Sequence, residues 1–293
     1  MSYADKRDIY AYNNILNPED VQIRIISIDS RFRNRETSPL STNFDYTFNT
    51  GFNTILRNII KIRVASVEIP NMWYNFSETL GNTKIKIKSD GIIKTIKIVD
   101  GIYTSEDLIN SICTEMKIAF DNSLHITFNM ITLRTTICYS KPFEIDFGQG
   151  IYIDSTLGYK LGFRNIKYTS VQSSDIYTIS SEASIDVIGN AYLLLGAGNL
   201  YTVEQRVTTT KGGINNIKCL AKIIVREEKG SVIYDDGSSL ISNNIVPYTP
   251  IPDIQGINIK LMNCYGGVVD LNGLDFSFTL EITELINTSK FQR

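Results

Sequence analysis

Hydrophobic and polar positions alternate along much of this chain. From Asn43 to Thr50, Phe44, Tyr46 and Phe48 fall on one side and Asp45 and Thr47 on the other. That two-residue period is the mark of a strand with one buried face. Near the C-terminus Phe276, Phe278, Leu280 and Ile282 repeat it, with Ser277, Thr279, Glu281 and Thr283 facing out. Val21–Asp29 is a further strand, and Ile59–Ile69 is a long β-branched run that stops at Pro70. Lys84–Lys88 and Ile92–Val99 flank Ser89-Asp90-Gly91, and the Asp-Gly pair predicts a tight hairpin turn. Lys84, Lys86 and Lys88 share one face, a solvated row that discourages edge-to-edge aggregation. More strands are expected at 124–128, 131–137, 143–147, 185–196, 200–210, 217–227, 231–235, 256–263 and 268–271.

Only one segment has helical spacing. Thr104-Ser105-Glu106-Asp107 reads as a cap followed by acid in the first turn, and Leu108, Ile112, Met116 and Phe120 then recur every four residues. This predicts a helix at about 105–120. Asn165–Ser184, rich in Ser and Thr, is expected to be a long surface crossing, and 236–252 an extended loop. About a dozen strands, one helix and no alternation of strand with helix predict an all-β fold, a jelly-roll-type antiparallel β-sandwich with one inserted helix. Residues 1–20 are polar and without a period, an N-terminal arm that would order only against something else. Residues 21–286 are expected to form a single jelly-roll-type β domain with insertions, and 287–293 a C-terminal tail.

Composition narrows the function classes. With 43% hydrophobic residues and 20% charged, the 293-residue chain can bury a sizeable core. Lys+Arg 29 against Asp+Glu 31 leaves a net charge of −2, so no dedicated nucleic-acid binding is expected. The opening residues lack an apolar signal-like stretch, and no run approaches the roughly 20 apolar residues of a membrane span. A soluble protein without a secretory signal or transmembrane segment is therefore expected. Ile occurs 45 times and Asn 25 times, a bias toward residues of A/T-rich codons that also favours strands.

Candidate chemistry is sparse. There is no nucleotide-binding glycine loop, nucleophile elbow or metalloprotease helix. Gly148-Gln149-Gly150 and Gly196-Ala197-Gly198 lack the strand-to-helix context that cradles a phosphate. Cys113, Cys138, Cys219 and Cys264 are widely separated, so they read as small hydrophobes in a reducing compartment. The lone histidine, His125, sits on the polar side of a strand pattern. Glu227-Glu228 and Asp235-Asp236 are sequence neighbours, which on a strand point to opposite faces. No catalytic residues, metal ligands or cofactor are expected, and the protein is not expected to be an enzyme. The candidate contact residues are Arg31, Arg33 and Arg35 in a basic loop, Trp73 and Tyr74 in an aromatic loop after a strand, and the acidic pair Asp235 and Asp236. Three arginines within five residues suit a phosphate or the carboxylates of a partner.

Several segments resemble a group of virion proteins from nucleocytoplasmic large DNA viruses, the giant viruses. They are Asp29-Ser30-Arg31-Phe32-Arg33, Ser41-Thr42-Asn43-Phe44, Ala65–Tyr74, Asp100–Thr104, Thr156-Leu157-Gly158, Leu161-Gly162-Phe163 and Asp270–Ile282. They span most of 21–286 in a consistent order. The resemblance implies a jelly-roll minor capsid or penton-type protein located in the virion capsid and made in the host cytoplasm. Its partners would be other capsid proteins, namely the major capsid protein and neighbouring minor capsid subunits. It would be a homo-oligomer, a pentamer if it is a penton. The rival expectation is a carbohydrate- or receptor-binding β-sandwich of fibre-head type, with Trp73, Tyr74 and Phe76 stacking on sugar rings.

Overall fold

A computed structural model describes residues 20–286 apart from 49–55, 151, 153, 199, 202, 210–211, 237–243 and 246–250. The predicted tail and almost all of the predicted arm lie outside the described residues, as does most of 236–252. The chain opens with β1 (Val21–Asp29), β2 (Asn43–Thr47) and β3 (Leu56–Pro70). It continues through β4 (Lys84–Ser89), β5 (Ile92–Lys97), helix α1 (Ser105–Ala119), β6 (His125–Phe128), β7 (Thr135–Tyr139), β8 (Glu144–Asp146), the short helix α2 (Leu157–Lys160), β9 (Lys167–Thr169), β10 (Val171–Ser173) and β11 (Ile176–Ser180). Then come β12 (Tyr192–Ala197), β13 (Val203–Thr208), β14 (Ile214–Cys219), β15 (Ala221–Ile224), β16 (Val232–Asp235), β17 (Asn244–Ile245), β18 (Ile251–Ile254), β19 (Gly256–Met262) and β20 (Ser277–Leu285). These elements form two units: Met1–Trp73 with Asn190–Val207 and Asn216–Arg293, and Tyr74–Gly189 with Thr208–Asn215.

The first unit is a jelly roll by its pairing. Its two sheets run β1-β20-β3-β16 and β15-β12-β19-β2. The first strand therefore pairs with the last, β2 with β19, β3 with β16, and β12 with β15, all antiparallel. A long hairpin rolled into two sheets has this nested order, the double Greek key of jelly rolls. After β16, β17 and β18 continue along the same side of β3, which is long enough to carry all three. The inner faces meet in one core that includes Ile28, Phe44, Ile62, Leu195, Ile223, Ile259, Leu261, Phe278 and Leu280. The predicted C-terminal alternation is present, with Phe276, Phe278, Leu280 and Ile282 all buried. β3 shows Val64 and Val67 both inward, three residues apart, because the β20 register shifts between them. A bulge of this kind absorbs the extra residue.

The second unit has its own core and two four-stranded antiparallel sheets, β5-β4-β8-β9 and β10-β11-β7-β6. α1 is the predicted helix. Thr104 caps it by accepting from the Asp107 N–H, and Leu108, Ile112 and Met116 are buried. The β4–β5 turn is Asp90-Gly91, both with positive φ (50° and 75°), which is what a two-residue hairpin loop requires. The glycines of the Thr156–Gly158 and Leu161–Phe163 segments are steric necessities. A Cβ on Gly158 would fall 2.3 Å from the Phe147 ring, and one on Gly162 (φ +95°) would fall 2.1 Å from the Ala183 carbonyl oxygen.

Two sequence expectations are corrected here. Residues 165–184 are not one long loop but hold β9, β10 and β11. Their polar composition follows from outward-facing positions, as in β10, where every residue is exposed. The lysine row on β4 is not edge protection, because β4 lies between β5 and β8.

Candidate assembly surface

Four of the virion-protein-like segments meet at one corner of the jelly roll. Asp29 ends β1 and caps the short turn Ser30–Phe32, its carboxylate accepting from the Arg31 backbone N–H at 2.9 Å. The Arg31 guanidinium also binds that carboxylate, and this hydrogen bonding holds Asp29 below the usual carboxylate range. Ser30 is fully buried. Its hydroxyl donates to Asp275 Oδ1 and accepts the Phe276 N–H, both at 2.9 Å.

Arg33 turns inward from the same loop. Nη1 lies 2.6 Å from Asp275 Oδ1 and 2.7 Å from the Ser30 carbonyl, Nε donates to the Ser38 carbonyl at 3.0 Å, and Nη2 to that of Pro39 at 3.0 Å. Its side chain is only 8% exposed. Ser41 and Thr42 continue the stitching, donating to the carbonyls of Leu274 and Val269 at 2.6 Å each. Phe44 meets Phe276 edge-on. The arginine-rich loop is thus divided. Arg33 holds its own unit together, whereas the Arg31 and Arg35 side chains are 67% and 68% exposed, Arg35 reaching Asp275 only at 3.9 Å.

The aromatic loop divides in the same way. Trp73 is buried in the core of the first unit, and Phe76 in that of the second. The Lys229 ammonium lies 4.0 Å from the Trp73 ring centroid and donates to the Trp73 carbonyl at 2.7 Å. Burial pulls its pKa down to about 8. Asn71 fastens the same place, its side-chain amide donating to the Glu227 carbonyl at 2.7 Å, and Asn272 reaches the Met72 carbonyl. Tyr74 is 40% exposed. Asp235 is buried and Asp236 exposed, and the carboxylates that the loop arginines meet are those of Asp29 and Asp275.

His125, the lone histidine, is engaged in a local hydrogen bond. His125 Nδ1 donates to the Ser123 carbonyl at 2.9 Å, while the Ser123 hydroxyl donates to Asp121 Oδ1 at 2.6 Å. The hydroxyl-to-imidazole bond that activates a serine is replaced by these contacts. No disulfide joins Cys113, Cys138, Cys219 or Cys264, and burial pushes the Cys219 thiol up to about 11, far from a reactive thiolate. Among the described residues no cluster of His, Cys, Asp and Glu could hold a metal ion, and no helix is long and apolar enough to cross a membrane.

The chain is similar in structure to the mavirus penton protein, at 8% identity, over 89% of this chain and 98% of that one, with a TM-score of 0.47. It is also similar to a chain of the Sputnik virophage structure, at 12% identity, over 90% and 97% of the two chains, with a TM-score of 0.37. No protein-family model matches the sequence, and no curated protein does. The jelly-roll assignment rests on the strand pairing of this chain itself.

Some of the exposed apolar residues lie at sheet edges. β1 and β16 are the two edges of one jelly-roll sheet. β1 exposes Ile23 (60%) and Ile25 (73%), and β16 exposes Val232 (56%) and Tyr234 (65%). Both edges turn apolar side chains outward, while Arg24 on β1 is half-buried and paired with Glu284 and Asp235 on β16 is buried. Sequence reading missed the edges because alternation gives a strand's faces but not its neighbours. It also missed Asp275, which carried no signal beyond its place in a quoted segment.

Proposed function

We propose that this protein is a structural virion protein, a penton or minor capsid subunit of an icosahedral shell of a large DNA virus. In this reading it works through subunit contacts, with the major capsid protein and neighbouring minor capsid subunits as partners. The observation that carries the reading is the exposed apolar side chains on both edge strands of one jelly-roll sheet. β1 and β16 are different surfaces, so contact between them would be heterologous, the kind that closes a ring such as a pentamer. Arg31, Arg35, Tyr74 and Asp236 are the exposed members of the candidate contact set and would sit at the rim of such contacts. A jelly roll alone does not select this function, since lectins and enzymes share the architecture. The convergence of four virion-protein-like segments on one corner supports the shell reading. The aromatic platform of the carbohydrate-binding alternative is weakened, because Trp73 and Phe76 are core residues.

The test is sedimentation of the purified full-length chain. A closed oligomer is expected, reduced to monomer by Ile25→Lys or Tyr234→Lys with an unchanged circular dichroism spectrum. A wild-type chain that stays monomeric at high concentration would contradict the ring.

A further inference from the structure

The outward face of sheet β5-β4-β8-β9 carries positive charge that its own ion pairs do not consume. Strand register sets Lys86 between Thr95 on β5 and Asp146 on β8, and Lys88 between Ile93 and Glu144. Across β8, Asp146 is opposite Lys167 and Glu144 is opposite Thr169. Two rows result, Thr95-Lys86-Asp146-Lys167 and Ile93-Lys88-Glu144-Thr169. Lys88 pairs with Glu144 at 3.2 Å and Lys167 with Asp146 at 3.5 Å. Lys84 and Lys97, directly opposite each other, share Glu78. Lys86 lies at the centre, and no carboxylate among the described residues pairs with it. Because β4 is an interior strand, edge protection does not account for this cation.

The two rows floor a depression of about 590 Å³, within the size range of ligand clefts. From this geometry we infer that the depression binds a sulfated glycan, with Lys86 and Lys88 holding a sulfate and Glu144 and Asp146 accepting hydrogen bonds from sugar hydroxyls. Lysine ammonium groups are compact point charges that suit a tetrahedral anion. Glu144 and Asp146 act against any polyanion, so the favoured ligand is one whose anions are spaced by hydroxyl donors that these carboxylates can accept from. A sugar chain brings both anions and hydroxyl donors, so it satisfies both signs of charge. Ile93, 64% exposed at the side of the depression, offers an apolar contact to a ring's C–H face. This inference does not depend on any position in a shell.

The experiment is calorimetric titration of the full-length protein with a heparin-derived hexasaccharide and with its desulfated counterpart. Duplex DNA and polyglutamate serve as two further ligands. Binding of the sulfated sugar is expected to weaken at high salt, and to weaken at least about tenfold on desulfation or in Lys86→Glu. Lys86→Gln, which sets no like charge opposite Asp146, is expected to weaken binding as well and to keep the wild-type melting temperature. Absence of binding, equal affinity in Lys86→Glu, or equal binding of DNA or polyglutamate would overturn the inference. None of these results alters the oligomeric state expected for a shell subunit, so the two readings fail separately.

Discussion

Arg33 and Asp275 are 242 residues apart in the sequence and 2.6 Å apart at one corner of the jelly roll. The first follows β1 and the last strand follows the second, so this contact fastens the two ends of the nested hairpin where β1 pairs with β20. Ser30 completes the corner from within, its hydroxyl donating to the same Asp275 oxygen and its carbonyl accepting from Arg33.

Removing one partner of a buried, hydrogen-bonded ion pair is costly. Arg33→Ala is expected to lower unfolding free energy by about 3–5 kcal/mol, while Arg31→Ala and Arg35→Ala stay within about 0.5 kcal/mol of wild type. Urea denaturation of the three variants measures this. Equal effects at all three positions would show that Arg33 is no different from its exposed neighbours.

Phe278 is 1% exposed and packs beside Phe276, their rings stacked with centroids 6.0 Å apart. Phe278→Ala should cost about 3–5 kcal/mol, from lost transfer energy and the cavity left behind. An unchanged melting temperature would mean that this face of β20 is not core.

How much of this was legible follows from what each signal encodes. Alternation revealed β20 and its inward face, and Asp90-Gly91 revealed its hairpin, because both are local. The bulge between Val64 and Val67 was not read from the sequence, where 59–69 appeared as one continuous run. Long-range facts were hidden. Nothing among three similar arginines says that Arg33 alone turns inward, since its acceptor lies at the far end of the chain. Nor does the pattern mark Trp73 and Asn190 as unit boundaries, because strands on either side share one period. Residues 165–184 looked like loop because their strands present polar side chains outward, and hydrogen bonding rather than burial defines them.

Lys229 gives a pH dependence with a definite sign. Its pKa in the fold, about 8, is below its ordinary value of 10.5, because burial disfavours the ammonium. Below pH 8 the lysine is protonated in both states, and the fold carries the desolvation cost. Between about pH 8 and 10.5 the unfolded chain holds more protons at this site, so stability from this group rises with pH. Wild type should therefore gain stability relative to Lys229→Met as pH increases from 8 to 10, read by thermal melts of both proteins. A difference independent of pH would mean that the amine is as well solvated in the fold as in the unfolded chain.

Gly162 is expected to tolerate no side chain. Gly162→Ala places a methyl against the Ala183 carbonyl at a left-handed backbone position, and the fold must shift to admit it. A melting temperature lowered by several degrees is expected, corresponding to about 1–3 kcal/mol. A neutral result would show that the Leu161–Phe163 turn relaxes freely.

The central claim is that the chain is a shell subunit joined through its jelly-roll edges. Electron cryo-microscopy of purified particles of the virus type that the proposal assigns it to tests this most directly. The account predicts density for the jelly roll at a fixed shell position, with β1 of one copy or its Arg31–Arg35 loop against a neighbouring capsid chain. Absence of the protein from purified particles, or density in which both β1 and β16 face only solvent, would contradict it.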